Sequence, residues 1–198
     1  MRQAWLYGVV LAGVLAGLVW FWAPAERGAQ LAPPPRGGDF TLQGADGSVS
    51  LKAFRGKVVL VYFGYTFCPD ICPTALAFAA QGVSLLSDEE RKRVQLIFIS
   101  VDPKRDTPER LREYVHYFNP AFIGVTGAEA VLEEVAARYG AAFRVYPAEN
   151  SATGYLVDHT AALYVVGPRG DLQGALAHGT PPQEIAAAIR ESLATGVD

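Results

Sequence analysis

The chain has few of the residues that bind metals or form crosslinks: two cysteines, three histidines and one methionine in 198 residues. Two cysteines allow at most one disulfide within the chain, which excludes a scaffold held together by several bridges. The single methionine is Met1, so a metal site rich in thioethers is excluded as well. Any chemistry that depends on sulfur must therefore involve Cys68 and Cys72.

The chain also has no excess of positive charge. Its formal net charge is −3, with 17 lysine and arginine residues against 20 aspartate and glutamate residues. Domains that bind nucleic acids carry a clear basic excess, often concentrated on one face. The composition therefore predicts no nucleic-acid partner, and other partners have to be inferred from specific sites.

A long uncharged run lies near the N-terminus, from Ala4 to Ala23. As a helix it is long enough to cross the roughly 30 Å hydrocarbon core of a bilayer, and aromatic residues lie near both of its ends. We predict an uncleaved membrane anchor over residues 1–23. Its N-terminus would be cytoplasmic, because Arg2 precedes the span and the two charges that follow it cancel. A cleaved signal peptide is the alternative, since residues 23–25 weakly resemble a cleavage site.

A segment rich in proline and glycine follows over residues 24–38 and predicts an extended linker. Residues 39–198 have the size of one domain with its own core. No transit sequence rich in Arg and Ser precedes the apolar run, which favours a bacterial membrane over a mitochondrial one. We therefore expect a single-pass protein of the bacterial plasma membrane, with its C-terminal domain on the outer, periplasmic side.

Several segments of the domain have the patterns of strands. Residues 40–42 and 49–51 alternate around a Gly-Ala-Asp-Gly turn and predict an N-terminal β-hairpin. Residues 58–63 and 93–101 are near-continuous apolar runs, typical of strands that are buried on both faces of a parallel sheet. Further strands are predicted at residues 122–125, 161–166 and 172–177, the last two as a hairpin.

Helical segments alternate with these strands. A run rich in Ala and Leu predicts a helix over residues 73–86, and a second helix should begin at Thr107. A third helix would bury one apolar face, made of Val131, Leu132, Val135 and Tyr139. A closing helix would begin with a capping box of Thr180 and Gln183. The alternation predicts an α/β domain with three αβα layers.

The two cysteines lie between the strand over residues 58–63 and the helix over residues 73–86. Cys72 would be at or near the helix cap, where the positive end of the helix dipole favours a thiolate. The i, i+4 spacing is compatible with a disulfide, whose Cα atoms are about 4.4–6.8 Å apart, and with a shared metal ion. A purely structural disulfide would close a short loop and stabilise the fold little, so we favour a functional pair.

Two thiolates suit a soft metal ion, and Cu(I) is the candidate favoured by this ligand type. A third ligand would have to be a histidine. His116 lies opposite the apolar face of its helix and His178 precedes a predicted cap, so we interpret both as solvated or structural. His159 directly precedes a buried strand, and either a ligand or a buried structural histidine fits that position. Zn(II), bound by these groups and by Asp70 or Asp158, is the alternative.

Three separated motifs together resemble the Sco/SenC family of copper proteins. They are Gly64-Tyr65-Thr66-Phe67-Cys68-Pro69-Asp70-Ile71-Cys72-Pro73, Ser100-Val101-Asp102-Pro103-Lys104-Arg105-Asp106-Thr107-Pro108, and Val157-Asp158-His159-Thr160 with the strand and turn that follow. The resemblance runs from about Asp39 to Leu193 and includes the N-terminal apolar run. It implies a thioredoxin-like fold that is tethered outside the membrane.

The resemblance implies a copper chaperone that assists assembly of the dinuclear copper centre of cytochrome c oxidase subunit II. One copper ion, Cu(I) with Cu(II) as a second state, would be bound by Cys68, Cys72 and His159. Asp70 and Asp158 would support these ligands from outside, ordering the imidazole and tuning the site. Besides subunit II, the partners would include another periplasmic copper chaperone or a thiol reductant. We interpret the motif that begins at Ser100 as structural.

An enzyme is the competing hypothesis: a membrane-tethered thiol–disulfide oxidoreductase that uses Cys68 and Cys72 to reduce the copper-binding cysteines of its target. Two features of the sequence favour copper binding instead. Three residues separate the cysteines, whereas the usual oxidoreductase motif has two. No proline precedes Ala161, where thioredoxin-like reductases usually have a cis-proline. A peroxiredoxin-like peroxidase is not supported, because the residues before Cys68 lack its pattern.

Overall fold

The computed structural model describes residues 35–147 and 154–196. Its strands are β1 (Thr41–Gly44), β2 (Gly47–Ser50), β3 (Val58–Gly64), β4 (Val94–Ser100), β5 (Ile123–Thr126), β6 (Phe143–Pro147), β7 (Tyr155–His159), β8 (Leu163–Val166) and β9 (Leu172–Leu176). Its helices are α1 (Ile71–Ser84), α2 (Asp88–Lys92), α3 (Pro108–Phe118), α4 (Glu129–Tyr139) and α5 (Pro182–Thr195), with a 3-10 helix over Leu51–Phe54.

Seven of these strands form one sheet, in the order β2-β1-β5-β4-β3-β8-β9. The central strands β3, β4 and β5 are parallel, and an antiparallel hairpin completes each side of the sheet. Every residue of β3 is buried, and so are the last five residues of β4. The two near-continuous apolar runs therefore form the middle of the sheet, as predicted, because only strands covered on both faces need to be apolar throughout.

Helices cover both faces of this sheet. On one face, Tyr62 of β3 stacks on Phe98 of β4, and Phe98 packs against Tyr114 of α3. The next side chain of β3, Phe63, points to the opposite face, where it contacts Tyr139 of α4. The predicted three-layer α/β arrangement is thus confirmed for the described residues.

Helix boundaries follow the predicted signals in part. The Thr107 hydroxyl caps α3 by accepting the N–H of Arg110, as predicted.

In α4, Leu132, Val135 and Tyr139 are buried as predicted. Val131 is 41% exposed, so its assignment to the buried face was wrong. Its neighbour Leu132 occupies the centre of that face, and adjacent residues on a helix point about 100° apart.

The predicted capping box before α5 was also wrong. Pro181 is the N-cap residue and makes no side-chain cap hydrogen bond. The Thr180 hydroxyl instead donates to the carbonyl of Ala177 at 2.7 Å, which closes the preceding turn. Pro181 and Pro182 together fix the chain for entry into the helix, because the φ angle of proline is already close to the helical value.

β6 and β7 form a separate two-stranded antiparallel sheet that the sequence did not predict. We call this pair the histidine hairpin, because His159 is the last residue of β7. No residue of β6 is fully buried. β6 therefore has no buried face, and only Val157 and His159 of β7 are buried. His159 belongs to a strand and not to the connection before β8.

The predicted membrane anchor and most of the predicted linker lie outside the described residues. In the part of the chain that is described, none of the helices has the length and apolar character to cross a bilayer. Residues 35–38 belong to the predicted linker, yet the N–H groups of Arg36 and Gly37 donate to the carbonyl of Arg138 at the end of α4. These last linker residues therefore pack against the domain.

Candidate metal centre

Both cysteines lie at the carboxyl end of β3, where the buried strand leads through a tight loop into α1. The Cys68 N–H donates to the carbonyl of Tyr65 at 3.2 Å, and the Cys72 N–H points to the Cys68 sulfur at 3.5 Å. The helix begins at Ile71 and not at Pro73, so Cys72 lies within its first turn. Pro73 is tolerated there because the first N–H groups of a helix have no intrahelical acceptor.

Gly64, the last residue of β3, makes room for the Cys72 sulfur. A Cβ atom at this position would lie 2.7 Å from Cys72 Sγ and 2.9 Å from the ring of Phe98. Such contacts are too short to persist, so a larger residue would displace the sulfur or the ring. The glycine therefore allows Cys72 to be completely buried against the sheet.

His159 reaches the cysteines from the histidine hairpin. Its Nε2 atom lies 3.3 Å from Cys72 Sγ, and its Nδ1 atom lies 3.3 Å from the carbonyl oxygen of Thr160. Because a carbonyl oxygen can only accept, this contact favours the tautomer with its hydrogen on Nδ1 and leaves the Nε2 lone pair facing the sulfur. Edge contacts with the rings of Tyr62 and Tyr65 hold the imidazole in place.

The three side chains form a compact set of potential ligands. Cys68 Sγ, Cys72 Sγ and a ring nitrogen of His159 all lie within 4.8 Å of one another, and all three residues are buried. Both cysteines are free thiols. Two sulfurs and one imidazole nitrogen suit a soft ion such as Cu(I), and they are one ligand short of the four that a structural zinc site uses. The structure thus brings together the three residues that the resemblance selected.

Comparison with known protein families agrees with this site. The model of the family described as SCO1/SenC matches residues 28–194, which is most of the chain. The chain belongs to the SCO1/SenC family. The resemblance inferred from the three motifs is thereby confirmed.

Among curated SCO1/SenC relatives, the chain is similar to "Protein SCO2, mitochondrial" of Saccharomyces cerevisiae. The two are 36% identical over 158 residues, which make up 79% of this chain and 52% of the yeast protein. The chain therefore spans about half the length of that relative.

Solved Sco structures share the fold. Bradyrhizobium japonicum ScoI with copper bound aligns with a TM-score of 0.70 and 34% identity, over 79% of this chain and 98% of that one. BsSco, a member of the Sco family of cytochrome c oxidase assembly proteins in which a disulfide switch was identified, aligns with a TM-score of 0.62 and 25% identity, over 83% of this chain and 98% of that one. The predicted thioredoxin-like α/β fold is therefore confirmed.

The two thiols of this SCO1/SenC site differ in acidity. The pKa of Cys68 is lowered to about 4, chiefly by a hydrogen bond from the Cys72 side chain, and burial opposes this only in part. The backbone N–H groups of Asp70 and Cys72 lower it further. The pKa of Cys72 is raised far above the ordinary thiol value, first by burial and then by the Cys68 sulfur. The prediction of a thiolate at Cys72 was wrong, because complete burial outweighs the helix dipole.

We predict that the reduced, metal-free chain carries one thiolate at about pH 7, and that Cys68 provides it. Because its pKa is lowered to about 4, the ultraviolet absorbance of the thiolate should persist below neutral pH and disappear only as the pH falls through about 4. The Cys68→Ser variant should lack this step. A wild-type titration in which a thiolate first forms above about pH 8 would contradict the assignment.

A cavity of about 470 Å³ opens beside the ligand set. Cys68 and His159 line it together with Tyr146 and Leu156 of the histidine hairpin. Tyr146 and Leu156 are 43% and 45% exposed, so the cavity has an apolar rim that faces solvent. The Cys68 and His159 side chains are buried, but another molecule can approach them through this cavity.

Asp70 and Asp158 line the same cavity, and both are exposed. Asp70 is the N-cap residue of α1, and its backbone N–H supports the Cys68 sulfur. The group that contacts the second ring nitrogen of His159 is the Thr160 carbonyl. A role for either carboxylate in ordering the ligands stays a prediction.

The other two histidines lie elsewhere. His116 is on α3 and His178 is in the turn before α5, and both are exposed. The prediction that His116 is solvated is confirmed. Neither belongs to the group of converging ligand atoms found among the described residues. His159 therefore differs from both in its burial and in its neighbours.

The sequence did not point to the buried acidic residues that support the cysteine loop. Asp106 is fully buried and accepts hydrogen bonds from the Thr66 N–H, the Thr66 hydroxyl and the Ser100 hydroxyl, at 2.9, 2.6 and 2.6 Å. Asp102 is also buried. Their position was the available signal: they follow β4, and parallel neighbours such as β3 and β4 end at the same edge of the sheet.

Proposed function

We propose that this chain is a membrane-anchored copper chaperone. It binds one copper ion through Cys68, Cys72 and His159 and assists assembly of the dinuclear copper centre of cytochrome c oxidase subunit II. The observation that carries the proposal is the convergence of two free thiols and one imidazole within 4.8 Å. Similarity to ScoI with copper bound supports copper as the ion. Similarity to BsSco, a cytochrome c oxidase assembly protein, supports an oxidase as the target.

The protonation states of the three ligands suit uptake of Cu(I). With its pKa lowered to about 4, Cys68 is the predicted thiolate at neutral pH, and the contact of His159 Nδ1 with the Thr160 carbonyl leaves a lone pair on Nε2. Binding therefore requires the loss of one proton, which comes from the Cys72 thiol. Three ligands leave room for a ligand of the acceptor, which can approach through the open cavity. The copper ion can then be exchanged from ligand to ligand without release into solution.

We propose further that residues 1–23 anchor the chain in the bacterial plasma membrane, with residues 39–198 on the periplasmic side. The length of the uncharged run and the position of Arg2 support this orientation. Copper would arrive from another periplasmic chaperone. A thiol reductant would keep both cysteines reduced, because a disulfide cannot supply thiolate ligands.

A thiol–disulfide oxidoreductase is the second candidate function, and the lowered pKa of Cys68 favours it. A thiolate is the species that attacks a disulfide. Cys68 would attack the disulfide of the target and form a mixed disulfide with one of its two cysteines. Cys72 would then attack the Cys68 sulfur, and the target would leave as a dithiol. The target would gain two thiols while Cys68 and Cys72 become a disulfide. The imidazole of His159 has no necessary part in this exchange.

A copper titration of the reduced full-length chain in detergent, followed by X-ray absorption on the loaded protein, tests the proposal. We expect one copper ion per chain, coordinated by two sulfur atoms and one nitrogen atom. If no stoichiometric copper binds and the chain instead reduces the disulfide of the subunit II copper domain, the proposal is overturned in favour of the oxidoreductase.

A further inference from the structure

The ligand set combines two parts of the fold that no strand pairing connects. The cysteines follow β3 of the seven-stranded sheet, whereas His159 ends β7 of the two-stranded sheet. Pairing within either sheet therefore does not determine the distance between the sulfur atoms and the imidazole. The short connection from His159 to β8, which pairs with β3, limits this distance, and side-chain contacts between the cysteine loop, residues 65–70, and the histidine hairpin set it more closely.

Arg105 contacts both parts. On the hairpin, its guanidinium lies 3.7 Å from the ring centroid of Tyr155, the first residue of β7, and its Nη1 donates to the Tyr155 carbonyl at 3.1 Å. On the cysteine loop, the guanidinium lies 4.8 Å from the ring centroid of Phe67, the residue before Cys68. It also lies 5.6 Å from the ring of Tyr65. One planar cation therefore lies between the aromatic rings of the two parts.

Asp102 fixes the orientation of this cation. Its carboxylate accepts hydrogen bonds from Arg105 Nε and from the Tyr155 hydroxyl, the latter at 2.7 Å. The side chains of Arg105 and Asp102 are only 13% and 3% exposed, so water competes little for these charged hydrogen bonds. Arg105 Nη2 is buried without a hydrogen-bond partner among the described residues. The aromatic faces and the other two nitrogen atoms therefore hold the guanidinium.

We propose that Arg105 is a positioning residue that couples the cysteine loop to the histidine hairpin, and so determines where the imidazole lies relative to the two sulfur atoms. The contacts of one rigid group with Phe67 and Tyr155 carry this inference. The expected effect of Arg105 on copper affinity rests on the proposed function. The expected effect of Arg105 on the position of the His159 imidazole in the metal-free chain does not. The motif that begins at Ser100 thereby gains a role in the site.

The test compares Arg105→Gln with Arg110→Gln in the full-length chain. Arg110 is a matched control, because it also lies over the Phe67 ring, at 4.3 Å, and also contacts polar groups of this region, Thr66 and Asp106. These three contacts lie outside the histidine hairpin. Both variants remove one positive charge near the cysteines, so a difference between them reports the contact with Tyr155. Circular dichroism establishes that each variant is folded.

Nitrogen NMR of the imidazole rings in the metal-free chain gives a readout that is independent of copper. The three histidines give three sets of signals, and the exposed His116 and His178 are internal references. We expect Arg105→Gln to shift or broaden the signals of His159 alone. Arg110→Gln should leave all three sets unchanged. Unchanged His159 signals in the Arg105→Gln variant would overturn the coupling, whether or not the chain binds copper.

Copper binding provides the second readout. Arg105→Gln should lower the Cu(I) affinity about tenfold or more and remove the nitrogen ligand from the X-ray absorption spectrum, whereas Arg110→Gln should change the affinity less than about twofold. Wild-type affinity and coordination in Arg105→Gln would overturn the coupling. If the wild-type chain binds no copper, the proposed function fails, and the imidazole spectra still decide the role of Arg105.

Should Arg105→Gln fail to fold, Arg105→Lys takes its place. Lysine keeps the charge but lacks the planar group that stacks on Tyr155 and donates to two acceptors at once. The His159 signals should then move in the same direction by a smaller amount. Wild-type signals in this variant would also overturn the proposal.

Discussion

His159→Ala should lower the Cu(I) affinity of the reduced chain by about 100-fold, which corresponds to about 2.7 kcal/mol, and should leave thiol exchange largely intact. One of three ligands is lost, whereas the two thiolates that a soft ion prefers remain. His159 is not the main cause of the low Cys68 pKa, which is the Cys72 side chain, so Cys68 stays a reactive thiolate. Competition with a Cu(I) chelator measures the affinity, and exchange with oxidised glutathione measures the thiol chemistry.

His116→Ala is the matched control for this prediction. His116 is exposed on α3, so the same substitution there should leave both copper affinity and thiol exchange unchanged. Wild-type copper affinity in His159→Ala would exclude His159 as a ligand. If His159→Ala loses thiol exchange and keeps its copper, the imidazole serves the redox chemistry of the thiols and the oxidoreductase hypothesis gains support.

Asp106→Ala should reduce the free energy of unfolding by about 3–5 kcal/mol, the largest stability effect that we expect from one polar side chain. The Asp106 carboxylate is completely buried and accepts three hydrogen bonds, two from Thr66 and one from Ser100. Its removal leaves the buried Ser100 hydroxyl and two half-buried donors of Thr66 without this acceptor, and it opens a small cavity. The Thr66 N–H suffers most, because a backbone donor cannot rotate toward another partner as a hydroxyl can.

Unfolding of the full-length chain in urea, followed by far-ultraviolet circular dichroism, measures this effect. Tryptophan fluorescence is unsuitable, because all three tryptophans lie within residues 1–23. Asp46→Ala is the control: Asp46 is 90% exposed and pairs with Arg112 at 3.2 Å, so its loss should change stability by less than about 1 kcal/mol. A loss below about 1 kcal/mol for Asp106→Ala would show that Thr66 and Ser100 find other partners.

Local patterns were sufficient to predict most of the large sheet. β3 and β4 are apolar along their whole length because both of their faces are covered, and this property is visible in a short window of sequence. The same reasoning failed for the histidine hairpin. β6 and β7 are stabilised by pairing with each other and by contacts to distant residues such as Arg105, and no residue of β6 is fully buried, so a short window of sequence does not show a core-facing side.

The candidate site was predictable to different degrees. Composition alone selected Cys68 and Cys72, because the chain has no other cysteines. His159 could be selected only through resemblance to a family, since 87 positions separate it from Cys72 along the chain. Asp106 and Arg105 were interpreted as part of a structural motif, although their position after β4 places them at the same edge of the sheet as the loop that carries the cysteines.

The sequence by itself determined which chemical groups are available and where the buried strands run, because both depend on residues close together in the chain. Only the tertiary structure decided which thiol ionises. The helix dipole acts locally and would favour a thiolate at Cys72, but burial beneath β3 removes the solvation that this charge needs. Cys68 instead accepts hydrogen bonds from the Cys72 side chain and from the backbone N–H groups of Asp70 and Cys72, and so carries the charge. Acidity depends on every neighbour in space, and those neighbours are brought together only by the fold.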